Sequence, residues 1–274
     1  MKGTLTACLA IVLILSPLLG GVVYEIDVTD HEQSPPKVES MESAVEGRNL
    51  KMGIRVGEKG PERTMIYRGD RREMVVVDHT NKSYFVMDQE QRKTIAGQLK
   101  QAMSQIQEAL KNVPEDKRAM VEQMMKQRMP QQTPEGPKSE LKKTGERSQK
   151  NGYPCVKYEV REDSRKVREF WVTDWGNVEG GGEVADVYKN MGEFFKEMME
   201  SFSGVGGGFS GGTGEGFLEY MTEMDGFPAV TRNFGEDGLL EGESVLRSAR
   251  RQTIDPDSFE PPSGYKRQEM FRGP

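Results

Sequence analysis

Apolar residues recur at every second position through much of this chain, and that period decides what it can fold into. In 22–29, Val22, Tyr24, Ile26 and Val28 alternate with Glu25, Asp27 and Thr29. In 50–56, Leu50, Met52, Ile54 and Val56 alternate with Lys51, Gly53 and Arg55. A period of two with one dry and one wet face belongs to antiparallel strands of a sheet covered on one side. Further strands are predicted at 63–68, 72–78 and 83–87, divided by Arg68-Gly69-Asp70 and His79-Thr80-Asn81-Lys82. These connections suit hairpins and are too short for parallel crossovers. Strands resume at 153–161, 167–173, 217–223, 228–234 and 239–253. With Val156, Tyr158 and Val160 facing the core, Cys155 and Lys157 fall on the opposite face.

Between the strand groups the period changes. Asp88 can cap a helix, with Gln91 completing a capping box. Ile95, Leu99, Met103, Ile106 and Leu110 then recur at steps of three and four. Pro114 suits the first turn of a second helix, which carries Met120, Val121, Met124, Met125 and Met129. A third amphipathic helix is predicted over 183–202. Residues 130–152 read as a polar connector ending in the hairpin signal Asn151-Gly152, and 204–216 as a flexible glycine-rich insert. Residues 266–274 read as an irregular tail. An uncovered sheet face would forfeit tens of kcal/mol at roughly 25 cal/mol per Å², so the helices must roof the strands. The expected fold is α+β: a curved antiparallel sheet, or half-barrel, with helices covering its concave face, in one domain over 22–265.

The first 21 residues set the address. Lys2 precedes an apolar run from Leu5 to Leu19, with Ser16-Pro17 and Gly20-Gly21 at its end. This is the layout of a secretory signal peptide, with cleavage expected after Gly20 or Gly21. Loss of Lys2 takes the net charge from −6 to −7. Loss of Cys8 leaves Cys155 alone, so no internal disulfide can form. The expected location is periplasmic or secreted in a bacterium. A mean hydropathy of −0.70 excludes a polytopic membrane protein, and no integral membrane segment is expected after the leader is removed. With 38 basic against 44 acidic residues, nucleic acid is not an expected partner.

The chemistry-bearing motifs dissolve on inspection. Gly208-Phe209-Ser210-Gly211-Gly212 matches G-x-S-x-G, but it lacks the strand–turn–helix context, and both histidines, His31 and His79, precede it. Ser139-Glu140-Leu141-Lys142 matches S-x-x-K inside the polar connector. Two histidines and one cysteine give no zinc spacing, and Asp255, Asp257 and Glu260 lack the EF-hand glycine and terminal glutamate. No catalytic, cofactor-binding or metal site is expected, and the chain is not expected to be an enzyme. What remains is methionine: adaptable, polarizable, and concentrated in the helices.

The order of export signal, hairpin strands, helices and further strands resembles the bacterial lipoprotein-carrier superfamily typified by LolA, LolB and LppX. It resembles more closely an allied secreted family, domain of unknown function 4412. The resemblance is carried by Tyr67-Arg68-Gly69-Asp70, by Tyr84-Phe85-Val86-Met87-Asp88 and by Gly152-Tyr153-Pro154-Cys155-Val156-Lys157-Tyr158. Phe170-Trp171-Val172-Thr173 and Pro261-Pro262-Ser263-Gly264-Tyr265 complete it. It implies a half-barrel with a helical lid over a hydrophobic groove, which the carriers use for acyl chains. The expected function is an exported carrier or sensor of an apolar ligand, a lipid or acylated protein. The candidate groove residues are Met120, Met124, Met125, Phe194, Phe195, Met198 and Met199. The alternative is an envelope protein–protein interaction module with a filled interior.

Overall fold

The structure is a computed structural model describing residues 20–54, 63–111, 139–202, 220, 221 and 223–269. The leader, the stretch carrying Met120, Met124 and Met125, and the insert 204–216 lie outside these residues. Strands β1 (Gly21–Asp30), β2 (Lys37–Glu46), β3 (Asn49–Ile54), β4 (Arg63–Arg68), β5 (Glu73–Asp78) and β6 (Ser83–Met87) form an antiparallel meander. Helix α1 (Gln89–Lys111) follows, then β7 (Ser139–Lys150), β8 (Tyr153–Glu162) and β9 (Arg165–Thr173). Helix α2 (Gly181–Phe202) leads to β10 (Phe227–Phe234), β11 (Leu240–Gln252) and β12 (Lys266–Arg267). β11 returns to pair with β1 and fuses both groups into one open sheet of 12 strands, with β12 at one edge and β7 at the other.

Each helix begins where the sequence supplies a cap. The Asp88 carboxylate accepts from the Gln91 amide at 2.8 Å and its carbonyl from the Arg92 amide at 3.0 Å, as the capping box predicts. The Gly180 carbonyl accepts from the Val184 amide at 3.1 Å. Gly180 holds φ +66°, and a Cβ there would collide with a Val22 methyl. Glycine therefore lets α2 start hard against β1. From there Val184, Val187, Met191, Phe194 and Met198, at helical spacing, pack on Val22, Tyr24, Val45, Leu50, Tyr67 and Met87 of the sheet. This is the front face of the β1–β6 half.

The back of that half is covered as well. Val23, Ala44, Ile66, Val75 and Val77 lie under Ile254 and Phe259, with Tyr265 alongside. The strands here are therefore two-sided, where the alternation predicts a single dry face. The apolar residues of 75–77 and 84–86 leave no wet face, and the segment after β11 supplies the cover. Two polar anchors hold it. Arg68 is bonded to Glu73 and Glu260, and His79 bridges Thr64 Oγ1 at 2.8 Å and the Tyr265 hydroxyl at 3.1 Å.

Four elements differ from the sequence reading. β2 falls where no strand is predicted; its burial is confined to Ser43, Ala44 and Val45, so most of it carries no dry face. The polar connector over 130–152 contains β7, an edge strand exposed along most of its length that needs no apolar side chains. Asn151 and Gly152, at φ +48° and +84°, close its hairpin with β8. Tyr220, expected in a strand, is helical instead, its carbonyl accepting from the Met224 amide at 2.8 Å. Within the expected irregular tail, Lys266–Arg267 pair with β6, because the Lys266 and Gln268 amides donate to the carbonyls of Lys82 and Tyr84. No helix among the described residues is long and apolar enough to cross a membrane.

Candidate functional site

On the front face beyond α2, strands β1, β11, β10, β9 and β8 run side by side. Their register lines up two rows of side chains. One row runs Val28, Ser244, Thr231, Phe170, Tyr158; the next runs Asp30, Gly242, Asn233, Arg168, Val160. The centre of these rows is small: Gly242, Ser244 and Thr231. A Cβ on Gly242 would come no closer than 3.7 Å to any neighbour, the Asn233 side chain. Larger apolar groups stand on either side, including Ile26, Met41 and Met52 on one flank and Val160 and Val167 on the other. Small residues between large ones leave a trough, and a cleft of about 960 Å³ occupies it. That volume sits at the upper end of the range of about 300–1,000 Å³ for small-molecule pockets.

The cleft has a defined polarity. Tyr188 of α2 and Tyr220 contribute to its wall, and burial pushes the Tyr188 hydroxyl up to about 12, so it stays a neutral donor. Arg168 stands in the row nearest the rim, its Nε donating to Asn233 Oδ1 at 2.7 Å. Burial holds this guanidinium below its ordinary value, with Tyr220 and Glu162 pulling the other way. At the mouth are the exposed carboxylates of Glu32, Glu236 and Glu241.

The residues singled out from sequence fall elsewhere. Phe194 is fully buried and Met198 nearly so, both in the cluster beneath α2, with Phe195 against its edge. None of the three is among the described residues lining the cleft. Met199 lies in α2, and Met120, Met124 and Met125 lie outside the described residues. Sequence reading misses the cleft floor because Gly242, Ser244 and Thr231 look like weak strand residues. The available signal is an alternation in β11 whose inward positions are small.

Behind the cleft, the back of β8–β11 carries a different solution. Cys155, Trp171, Ala229 and Val230 form a small cluster, flanked by alternating charges. Glu169 accepts from Trp171 Nε1 at 2.8 Å and pairs with Lys157, Lys166 and Arg232. Lys150 sits 4.1 Å from the centre of the Trp171 ring. Opposite charges on neighbouring strands and cations over an aromatic face suit this side to water, and among the described residues no element covers it. Burial raises the Cys155 thiol despite the Lys150 charge, which leaves it an inert thiol. Among the described residues no group of His, Cys, Asp or Glu is arranged to hold a metal ion.

Comparison with known proteins adds little. No family model matches the chain, and no curated relative matches it. An uncharacterized conserved protein from Thermus thermophilus is similar over 92% of this chain and 91% of its own, at 6% identity and a TM-score of 0.44. PNGF-II is similar at 11% identity and a TM-score of 0.38, but this chain spans only 31% of its length. A structure of the MucA/MucB complex of Pseudomonas aeruginosa matches at 9% identity, a TM-score of 0.34 and 55% of that chain. At such scores the likeness establishes neither a shared fold nor a shared function.

Proposed function

We propose that this chain is an exported, non-enzymatic carrier or sensor that holds an apolar ligand, a lipid or the acyl group of a protein, in the cleft between α2 and β8–β11. In this reading the sheet bends as a half-barrel around the α2 side, in the manner of the lipoprotein carriers. The observation that carries it is the trough itself: small side chains at Gly242, Ser244 and Thr231 between apolar flanks, along an open cleft of about 960 Å³. A face that served only as packing would carry larger side chains here, since small residues between apolar flanks forfeit dispersion contacts along the trough.

A fluorescent fatty acid tests the reading. The protein is expected to bind it and to release it to unlabelled acyl chains. Thr231→Trp, which places a large ring in the middle of the trough, is expected to weaken binding at least tenfold with little change in thermal midpoint. Unaltered binding by Thr231→Trp would place the acyl site elsewhere, and no binding by the wild type would favour a protein-docking module.

A further inference from the structure

Resting on that reading, we infer that the cleft selects a single-headed monocarboxylate amphiphile, a fatty-acid-like molecule whose carboxylate docks on the Arg168 guanidinium. The apolar flanks accept the chain, and Arg168 fixes which end of the molecule lies toward the rim.

The neighbouring cations are already spent. Lys166 bonds Glu169 at 3.2 Å, and Arg232 is bound to both Glu243 and Glu169. Arg165 donates to the Gly235 carbonyl at 3.2 Å and lies 3.9 Å from Glu162. Arg168 differs from all of them. Its Nε is used by the neutral Asn233 amide, and among the described residues no carboxylate lies within ion-pair distance of it. A half-buried guanidinium carries five N–H donors in a rigid fork that matches a carboxylate bidentately. Among the described residues its two terminal nitrogens are thus charged donors of the cleft with no hydrogen-bond partner, set beside Val160 and Asn233 in the register, with the guanidinium carbon 6.0 Å from the centre of the Phe170 ring.

The other charges at the cleft narrow the choice of head group. Asp30 shares the Arg168 row but is three strand spacings away, or roughly 14 Å, beyond direct pairing. Glu162 lies on the same hairpin, and Glu32, Glu236 and Glu241 line the mouth. This acidic rim is exposed and screened within about 8–10 Å at ordinary salt. It still repels a second negative charge more than a first, so a carboxylate is favoured over a phosphate dianion. A cationic head would meet Arg168 itself and be rejected from the interior.

The experiment is displacement of a neutral apolar dye by four twelve-carbon probes, dodecanoate, dodecanol, dodecylamine and dodecyl phosphate, at pH 8 and below their micelle thresholds. Wild-type protein is expected to bind dodecanoate at least tenfold tighter than dodecanol, and tighter than the phosphate or the amine. Arg168→Gln is expected to bring dodecanoate down to the dodecanol level while leaving dodecanol and the dye unchanged. Arg168→Lys keeps the charge without the fork and is expected to retain part of the preference. Equal binding of dodecanoate and dodecanol by the wild type, or a preference that survives Arg168→Gln, overturns the head-group assignment while leaving the apolar cleft standing. Failure of the dye and all four probes to bind overturns the cleft reading, and this inference with it.

Discussion

Replacing Phe194 by alanine is expected to lower folding stability by about 3–5 kcal/mol, seen as a fall in the denaturant midpoint at unchanged slope. Phe194 is fully buried in the cluster that joins α2 to the sheet. Its ring meets Tyr67 at 5.7 Å and 61° and Phe195 at 5.7 Å and 90°, both edge-on geometries that add to plain burial. The Arg92 guanidinium lies 4.8 Å from the ring centre. Arg92 is itself buried, and its Nε has no hydrogen-bond partner among the described residues. The aromatic face is its principal compensation, with Glu197 at 3.7 Å half-exposed. Alanine would open a cavity and strip a buried cation of its ring together. Phe195→Ala, at the edge of the same cluster, is the control and is expected to cost clearly less.

Arg68→Met is expected to be the other severe change, destabilising by about 3–5 kcal/mol. The Arg68 side chain is only 7% exposed, and its closest buried partner, Glu73, is 13% exposed and 2.7 Å away. Methionine would leave near-buried Glu73 with only the exposed Arg71, 3.8 Å away, and would leave Glu260 of the segment after β11 held by Arg71 alone. Limited proteolysis is expected to cleave 253–265 sooner in the variant, because Ile254 and Phe259 would be held less firmly on the back face. The pH dependence has a definite sign. Burial opposes the charge on Glu260, but Arg71 and Arg68 outweigh it and hold the carboxyl below its ordinary value of 4.5. A depressed carboxyl stabilises the fold above its unfolded pKa, and that contribution fades as pH falls through the lower folded value. Wild-type stability is therefore expected to decline below about pH 4.5, and Arg68→Met to show less of that decline.

Where one face of the chain is dry and the other wet, the sequence is easy to read. The strand containing Val156, Tyr158 and Val160 and the capped start of α1 at Asp88 belong to that class. Alternation fails where a strand has no dry face, as along β7, or two, as in β5 with Val75 and Val77 packed on its back and Met74 on its front. It also gives no warning that the region after Asp255 covers the sheet, since Ile254, Phe259 and Tyr265 are too widely spaced to form a pattern. The candidate site is less legible still. Phe194 and Met198 attract notice because they are large, and large apolar residues at helical spacing fill the core between helix and sheet. A cleft is marked by what is small, and Gly242, Ser244 and Thr231 become a trough only once β11 and β10 are placed between β1 and β9. Arg168 looks like one charge among many in β9 until pairing shows that its neighbours on the strand have acidic partners.

The central claim is that an apolar chain lies along this trough. Photo-crosslinking with a diazirine-bearing fatty acid, followed by peptide mapping, addresses it most directly. Labels are expected on 26–28, 160–168, 227–234 and 242–246, and are expected to be lost in competition with unlabelled dodecanoate. Labels confined to the outer face of α2, to the back-face segment 254–265, or indifferent to competitor would contradict it.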